Sequence, residues 1–339
     1  MNILENVPMA PLTTLNVGGP ARFFTLAESE DQIISAFDHA DRSGQRVFVL
    51  GGGSNILVSD RGFDGLVIHV RLKGIAFEGD LITAQAGEDW DPLVEYCVDR
   101  NLGGIECLSG IPGSVGGTPV QNVGAYGQEV SERIVTVRCF DRIAREIVEL
   151  GNAACGFTYR TSIFNTTERD RYVVLAVTYR LNEGETPNIN YKDLREHFED
   201  RCPTLSEARA GVLRIRREKS MVIDRDDPNS RSAGSFFKNP IVATGVLDEI
   251  AGSIDQPVPH FPFGQNVKIP AAWLIEMAGF EKGFRLGHAG ISANHSLAII
   301  NRGGATAAEI VDLKERIQDT VSQKFGILLQ PEPVFVGFD

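Results

Sequence analysis

The sequence predicts an α+β fold of two or three domains. Its first third alternates strand-like and helix-like segments, its middle is rich in strand-like runs, and one strongly amphipathic helix stands near its end. Its 339 residues exceed the ~250–300 at which a single hydrophobic core usually stops growing.

Residues 22–50 read as strand, helix, strand. Ser29 with Gln32 has the form of a capping box, Ile33, Ile34 and Phe37 share one helical face, and Gly44 ends the helix. Val47 to Leu50 is an apolar run of strand length, and Leu66-Val67-Ile68 is a second. Leu81-Ile82-Thr83 then leads into a helix with Trp90, Leu93, Val94, Cys97 and Val98 at helical spacing. A glycine-rich stretch follows over 103–127, and strands are expected at Ile134–Val137 and Tyr172–Val177. The stretch 183–210 reads as polar and irregular, and 224–232 as a mobile polar loop. Pro270 starts a short helix through Trp273 and Leu274 that stops at Gly279. Thr306 with Glu309 caps the last helix, which buries Ile310, Leu313, Ile317 and Val321, and Ile327 to Phe338 reads as one or two strands. The sequence contains no internal repeat.

Composition narrows the function. A net charge of -12 argues against nucleic acid or an anionic membrane as partner, since both attract a basic field. A phosphorylated ligand is still allowed, held by local cations and backbone amides. The five cysteines are widely spaced with no C-x-x-C, which fits a reducing cytosol. No apolar segment reaches the ~18 residues of a membrane span, so a cytoplasmic protein is expected. The six histidines show no H-x-H or H-x-x-x-H spacing, and no metal site is expected.

Four segments carry candidate chemistry. Gly51-Gly52-Gly53-Ser54-Asn55 directly follows a buried strand. Its glycines open φ > 0 and let the backbone approach a ligand, successive amides can hold phosphate, and Ser54 and Asn55 add donors. A tight strand-to-loop turn is the plainer alternative. The second segment joins Ile111-Pro112-Gly113-Ser114-Val115-Gly116-Gly117 to Gln121-Asn122-Val123-Gly124-Ala125-Tyr126-Gly127. So long an irregular stretch suits a large planar ligand. A pair of surface turns is the other reading, against which Val115, Val123 and Ala125 argue for burial. Two glycine loops in separate βα units favour a dinucleotide. Gly51 and Gly53 match half of G-x-G-x-x-G, but Ser54-Asn55-Ile56 supplies no third glycine and no helix start, which sets aside an ordinary Rossmann site.

In the third segment, Arg160 sits among apolar and aromatic residues of Phe157–Phe164, where a structural salt bridge or a bound anion would satisfy it. In the fourth, Ser235 lies within Ser232–Pro240, with no Gly-x-Ser-x-Gly elbow and no obviously paired histidine. It is therefore a proton or hydrogen-bond donor, or a strand-capping serine, rather than an acyl nucleophile. His295, beside Asn294, reads as a satisfied structural histidine, with a ligand contact as the alternative, and Glu332, between two prolines, as an exposed tail carboxylate.

Taken together, the chain resembles the UDP-N-acetylenolpyruvoylglucosamine reductase (UDP-N-acetylmuramate dehydrogenase) family. The resemblance rests on Thr14-Leu15-Asn16-Val17-Gly18-Gly19, the two glycine segments, Tyr159-Arg160-Thr161-Ser162-Ile163-Phe164, Gly234-Ser235-Phe236-Phe237-Lys238-Asn239-Pro240 and Pro331-Glu332, in that order along nearly the whole chain. It implies a two-subdomain FAD-binding fold of the vanillyl-alcohol oxidase type plus a C-terminal α+β substrate domain. The implied boundaries are 1–70 completed by 325–339, then 71–217, then 218–324.

The resemblance also implies noncovalent FAD, NADPH as co-substrate, and reduction of UDP-N-acetylglucosamine enolpyruvate to UDP-N-acetylmuramate for peptidoglycan. Ser235 matches the serine that protonates the intermediate, and Arg160 with Glu332 the pair that polarises the enolpyruvyl group. FAD contacts fall on Gly51, Gly52, Gly53, Ser54, Asn55, Gly113, Ser114, Gly116, Gly117, Gln121, Gly124, Tyr126 and Gly127. Tyr191 resembles the substrate clamp of the tyrosine-loop subclass, and Lys219, Asn239 and Lys268 resemble UDP contacts. The oligomeric state stays open, with a monomer as the expectation. The rivals are an oxygen-using oxidase of the same flavin fold and a non-catalytic flavin- or nucleotide-binding protein. The set Arg160, Ser235 and Glu332 argues against both.

Overall fold

The computed structural model describes residues 1–199 and 201–338; Asp200 and Asp339, which fall within the expected segments 71–217 and 325–339, lie outside the described residues. Two compact units result. The first comprises Met1–Val7, Pro20–Gly53 and Phe63–Val222, and the second Pro8–Gly19, Ser54–Gly62 and Ile223–Asp339.

The first unit contains two sheets. In one, Phe63–Val70 lies between Pro20–Ala27 and Val47–Leu50, parallel to both, with Leu4–Pro8 at the edge. Helix α1 (Glu30–Ser43) connects the two flanking strands. The Ser29 side chain accepts from the Gln32 amide, and Gly44 closes the helix at φ 61°. The Gln32 side chain reaches back one residue further than a capping box does, accepting from Glu28 N–H at 2.8 Å. The second sheet is antiparallel, in the order Glu146–Gly151, Ile134–Asp141, Tyr172–Arg180, Leu81–Gln85, Ile75–Glu78. Helix α2 (Trp90–Asp99) buries the face expected of it, Trp90, Leu93, Val94, Cys97 and Val98. The Trp90 ring meets fully buried Tyr179 at 5.8 Å.

The expected irregular stretch 183–210 is corrected. It holds α3 (Lys192–Phe198) and the start of α4 (Leu205–Glu218). Thr204 and Glu207 form a complete capping box on α4, so local chemistry starts a helix there despite the polar composition. Buried Arg209 of α4 holds Asp91 in the first turn of α2 through two bonds of 2.5 and 3.1 Å. Burial alone would raise the Asp91 carboxyl, but Arg209 and the Gly110 amide outweigh it and hold the group below its ordinary range.

The second unit is built on α5 (Thr244–Gly252), α6 (Ala271–Met277) and α7 (Ala307–Phe325), with short antiparallel sheets over 241–268 and 285–301. α7 has the expected Thr306–Glu309 capping box and buries Ile310, Leu313, Ile317, Val321 and Phe325. Asp60 caps it too, accepting from the Ala307 and Ala308 amides at 2.7 and 2.9 Å. Of the expected tail strands only Val334–Val336 forms, parallel to Ile56–Val58. The 224–232 loop is a turn closed by Ser230, whose hydroxyl donates to Asp224 and Asp227 carbonyls. The Thr14–Gly19 signature has a steric origin: a Cβ on Gly18 would stand 2.5 Å from Val58 Cβ, and one on Gly19 2.3 Å from Asp60 O.

His69 is the penultimate residue of the central parallel strand, edge-on to Phe24 at 6.0 Å. Burial, then the Arg71 charge, pulls its pKa down to about 4 against a backbone hydrogen bond with Gly51. The unfolded chain, with a histidine pKa of ~6.5, takes up that proton first. Its contribution is complete above pH ~6.5 and is lost as pH falls toward 4. Thermal unfolding at pH 7 and 4.5 should show a smaller acid loss in His69→Phe than in the unmodified chain. Equal losses would contradict a neutral buried His69.

Candidate functional site

The first unit brings the two glycine segments into backbone contact. Gly51–Gly53 continue from the strand Val47–Leu50, while Gly113–Gly117 lies along residues 86–90. There Trp90 N–H donates to Gly113 O (3.0 Å), Val115 N–H to Glu88 O (2.8 Å) and Gly116 N–H to Ala86 O (2.9 Å). A Cβ on Gly52 would stand 2.5 Å from Gly113 Cα, and one on Gly51 2.8 Å from Ser114 Oγ. Gly116 is closed in the same way by Ala86 Cβ at 2.7 Å, whereas Gly117 faces open space. Gly53 and Gly113 take φ +66° and +127°, where a side chain strains the backbone. Ser114 Oγ is buried here with no hydrogen-bond partner among the described residues. An unsatisfied buried hydroxyl costs about 1–3 kcal/mol, and a ligand oxygen removes that cost. Bare backbone with an unused hydroxyl is the chemistry of an anion cradle.

Gln121–Gly127 is held from within. Fully buried Asn122 donates to Glu129 Oε2 (2.7 Å) and Thr158 O (3.1 Å), and its Oδ1 accepts from Ser131 N–H (3.1 Å). Gly124–Ala125 pairs with Gln128–Glu129, so Tyr126 and Gly127 form a two-residue hairpin loop. Both have positive φ, +50° and +83°, the requirement of a type I′ turn. Buried Glu106 braces the loop by accepting from Gln128 Nε2 at 2.7 Å. Arg160, itself at φ +53°, donates from Nη2 to Gly124 O at 2.8 Å. Its sequence-level alternatives were a salt bridge or an anion; the structure adds this loop carbonyl.

Tyr191, Lys219 and Tyr126 also come together in this unit. The Tyr191 and Tyr126 rings meet edge to face at 5.4 Å. Lys219, which follows α4, pairs with Asp193. Burial raises the pKa of both tyrosines, so both are neutral phenols at pH 7. Buried Arg216 stands beside Tyr126, bound to Met221 O at 2.7 Å, and burial lowers its pKa. Asp193 and Arg216 were missed in the sequence because no nearby residue advertises their partners.

The second unit gathers Asn55, Ser235 and Glu332. Glu332 N–H donates to Phe236 O (2.9 Å), Asn55 Nδ2 to Glu332 O (3.2 Å), and Val334 N–H to Asn55 O (2.9 Å). Glu332 is thus half-buried and stitched to the Ser235 segment, not an exposed tail carboxylate. Ser54 O accepts from Thr14 Oγ1 at 3.4 Å. Ser235 has a histidine neighbour after all: His295 Nε2 lies 3.3 Å from its Oγ, across 60 residues of sequence. Asn239 Oδ1 accepts from Ala271 N–H at 2.9 Å, at the start of α6, and Lys268 Nζ lies 5.9 Å from the Phe263 ring centre. The candidate catalytic residues are therefore divided, Arg160 in the first unit and Ser235 and Glu332 in the second.

A family profile described as "FAD binding domain" matches residues 21–149, and one described as "UDP-N-acetylenolpyruvoylglucosamine reductase, C-terminal domain" matches residues 226–336. The UDP-N-acetylenolpyruvoylglucosamine reductase of Thermobifida fusca is 46% identical over 98% of this chain and 98% of that protein. That of Streptomyces coelicolor is 44% identical over 98% of this chain and 90% of that protein. The crystal structure of UDP-N-acetylenolpyruvylglucosamine reductase from Thermus caldophilus superposes with a TM-score of 0.69 at 26% identity, covering 99% of this chain and 98% of that one. The α+β class and the FAD-binding region followed by a C-terminal domain agree with the sequence expectation. With identity at this level along essentially its whole length, the chain belongs to the UDP-N-acetylenolpyruvoylglucosamine reductase family.

Proposed function

We infer that the chain is an FAD-dependent oxidoreductase that reduces UDP-N-acetylglucosamine enolpyruvate to UDP-N-acetylmuramate with NADPH, a step of peptidoglycan precursor synthesis. The observation that carries this reading is full-length similarity to reductases named for that substrate. The cradle fits the cofactor: Gly52 and Gly113 leave no room for side chains, and the Ser114 hydroxyl awaits an acceptor. FAD, held at this cradle, would supply the hydride-transfer chemistry between NADPH and the enolpyruvyl group.

The residues divide the remaining work. Gly51, Gly52, Gly53, Ser54, Asn55, Gly113, Ser114, Gly116, Gly117, Gln121, Gly124, Tyr126 and Gly127 hold the cofactor, through the close backbone approach the glycines allow and the Ser114 hydroxyl. Arg160 and Glu332 polarise the enolpyruvyl group, whose carboxylate side gains charge during reduction. As negative charge gathers there, a fixed guanidinium stabilises it by about 3 kcal/mol. Ser235 Oγ–H protonates the adjacent carbon. A hydroxyl is a weak acid, but an enolate-like carbanion is basic enough to take its proton when the two are aligned. Tyr191, a neutral amphipathic ring beside Tyr126, clamps the sugar nucleotide. Lys219, Asn239 and Lys268 contact its UDP portion.

Segments 1–70 with 325–339 and 71–217 act as the flavin subdomains and 218–324 as the substrate domain. The chain works in the cytoplasm as a monomer. Among the described residues no helix is long and apolar enough to cross a membrane.

Anaerobic half-reactions test the reading. NADPH should bleach the flavin, and the enolpyruvyl sugar nucleotide should restore its colour. Rapid reoxidation by air with no response to the sugar nucleotide would instead identify an oxidase. Ser235→Ala should bleach normally but reoxidise roughly 10²–10⁴ times more slowly; unchanged turnover would remove Ser235 from the chemistry. Arg160→Ala should keep FAD and lose about 10²–10³ in kcat. Loss of FAD would make Arg160 a flavin-loop residue, through its bond to Gly124 O.

A further inference from the structure

We propose that His295 is a positioning residue for Ser235, donating from Nε2–H to the serine oxygen so that the one hydroxyl proton stays aimed at substrate. This deepens the reading above and rests on it.

The geometry comes first. His295 Nε2 is 3.3 Å from Ser235 Oγ, longer than a fully formed bond but typical of a catalytic contact before substrate closes on it. The segment that carries His295 is fixed on several sides. Ala298 N–H donates to His295 O (3.1 Å), Ser292 N–H to Ala298 O (2.9 Å) and Asn294 N–H to Ser292 Oγ (3.2 Å). Asn229 Oδ1 accepts from Ala293 N–H at 2.9 Å, and Ser296 Oγ is bound to Glu276. The same segment is tied directly to the Ser235 segment, since Phe236 N–H donates to Leu297 O at 2.7 Å and Ser232 bridges Ile300. The ring and the hydroxyl therefore share one rigid frame, as a precisely held donor pair requires.

The direction of the hydrogen bond follows from proton counting. Serine carries a single proton. If that proton pointed at Nε2, it could not reach the substrate carbon, and the contact would inhibit the step assigned to Ser235. With the proton on Nε2 the roles agree. The substrate's electron pair takes the Ser235 proton, a C–H bond forms, and the O–H bond breaks. The resulting alkoxide accepts from Nε2–H, which lowers its energy. Solvent then restores the serine proton, the same proton that NADPH-dependent reduction consumes overall. His295 itself loses nothing, so the neutral tautomer suffices.

Stopped-flow measurement of the two anaerobic half-reactions in the FAD-loaded protein separates this role from a structural one. His295→Ala should be bleached by NADPH at an unchanged rate, yet reoxidise with UDP-N-acetylglucosamine enolpyruvate roughly 10- to 100-fold more slowly, the worth of one hydrogen bond to a charged oxygen. The solvent deuterium isotope effect on reoxidation should grow, because proton delivery becomes limiting. His295→Gln, which keeps a side-chain N–H donor, should recover most of the rate. Wild-type reoxidation in His295→Ala, beside a slow Ser235→Ala, overturns this inference alone. Wild-type reoxidation in Ser235→Ala overturns the serine assignment with it. Equal slowing of both half-reactions, or no recovery in His295→Gln, assigns His295 a structural role and overturns the proposal.

Discussion

The contact between Gly52 and Gly113 is the constraint on which the cofactor region depends. Two backbones approach so closely that a single methyl group at Gly52 would come within 2.5 Å of Gly113 Cα. Such proximity is open only to glycine, and it sets the neighbouring chain. Gly113 must deliver its carbonyl to Trp90, which starts α2, and Ser114 must bury a hydroxyl that none of the described residues uses. Packing and polarity thus point the same way. A loop pair closed against side chains lets a ligand lie directly on the backbone, with the Ser114 hydroxyl as a donor to its oxygens.

From that contact the order spreads outward through buried polar groups. Thr118 joins Val115 O to the Tyr179 hydroxyl, both at 2.8 Å, linking the loop to the antiparallel sheet. Asn122 and Glu106 brace the hairpin at Tyr126-Gly127, Asn122 by bonding Thr158 O and Glu106 by accepting from Gln128 Nε2. Arg160 closes on that hairpin through Gly124 O. In the second unit, backbone bonds among Asn55, Phe236 and Glu332 set the residues next to Ser235. Both units therefore hold their chemical side chains through buried polar side chains and backbone groups bonded to one another.

Much of this was legible in the sequence, for physical reasons. Capping residues such as Ser29 and Thr306 act within three residues, so the helices they start can be read directly. Glycine runs stand out because only they permit such close approach. α4 was equally local in its signal, Thr204 with Glu207, but its exposed charges at Glu207, Arg214, Arg217 and Glu218 hid the buried stripe of Leu205, Ala208, Val212 and Ile215. What could not be read is non-local. The pairing of Ser235 with His295 spans 60 positions, that of Arg209 with Asp91 118, and that of Asn55 with Glu332 277. No residue type announces its partner at such distances, so Glu332 looked like a tail carboxylate and His295 like a core histidine.

Titration of the apoprotein with FAD in a Gly52→Ala variant tests the central claim most directly, with circular dichroism as a check on the fold. If the Gly52–Gly113 contact forms the cofactor cradle, overpacking it by one methyl group, ordinarily a matter of about 1–3 kcal/mol, should weaken FAD binding by at least tenfold while secondary structure is preserved. FAD binding as tight as in the unmodified chain would contradict the account.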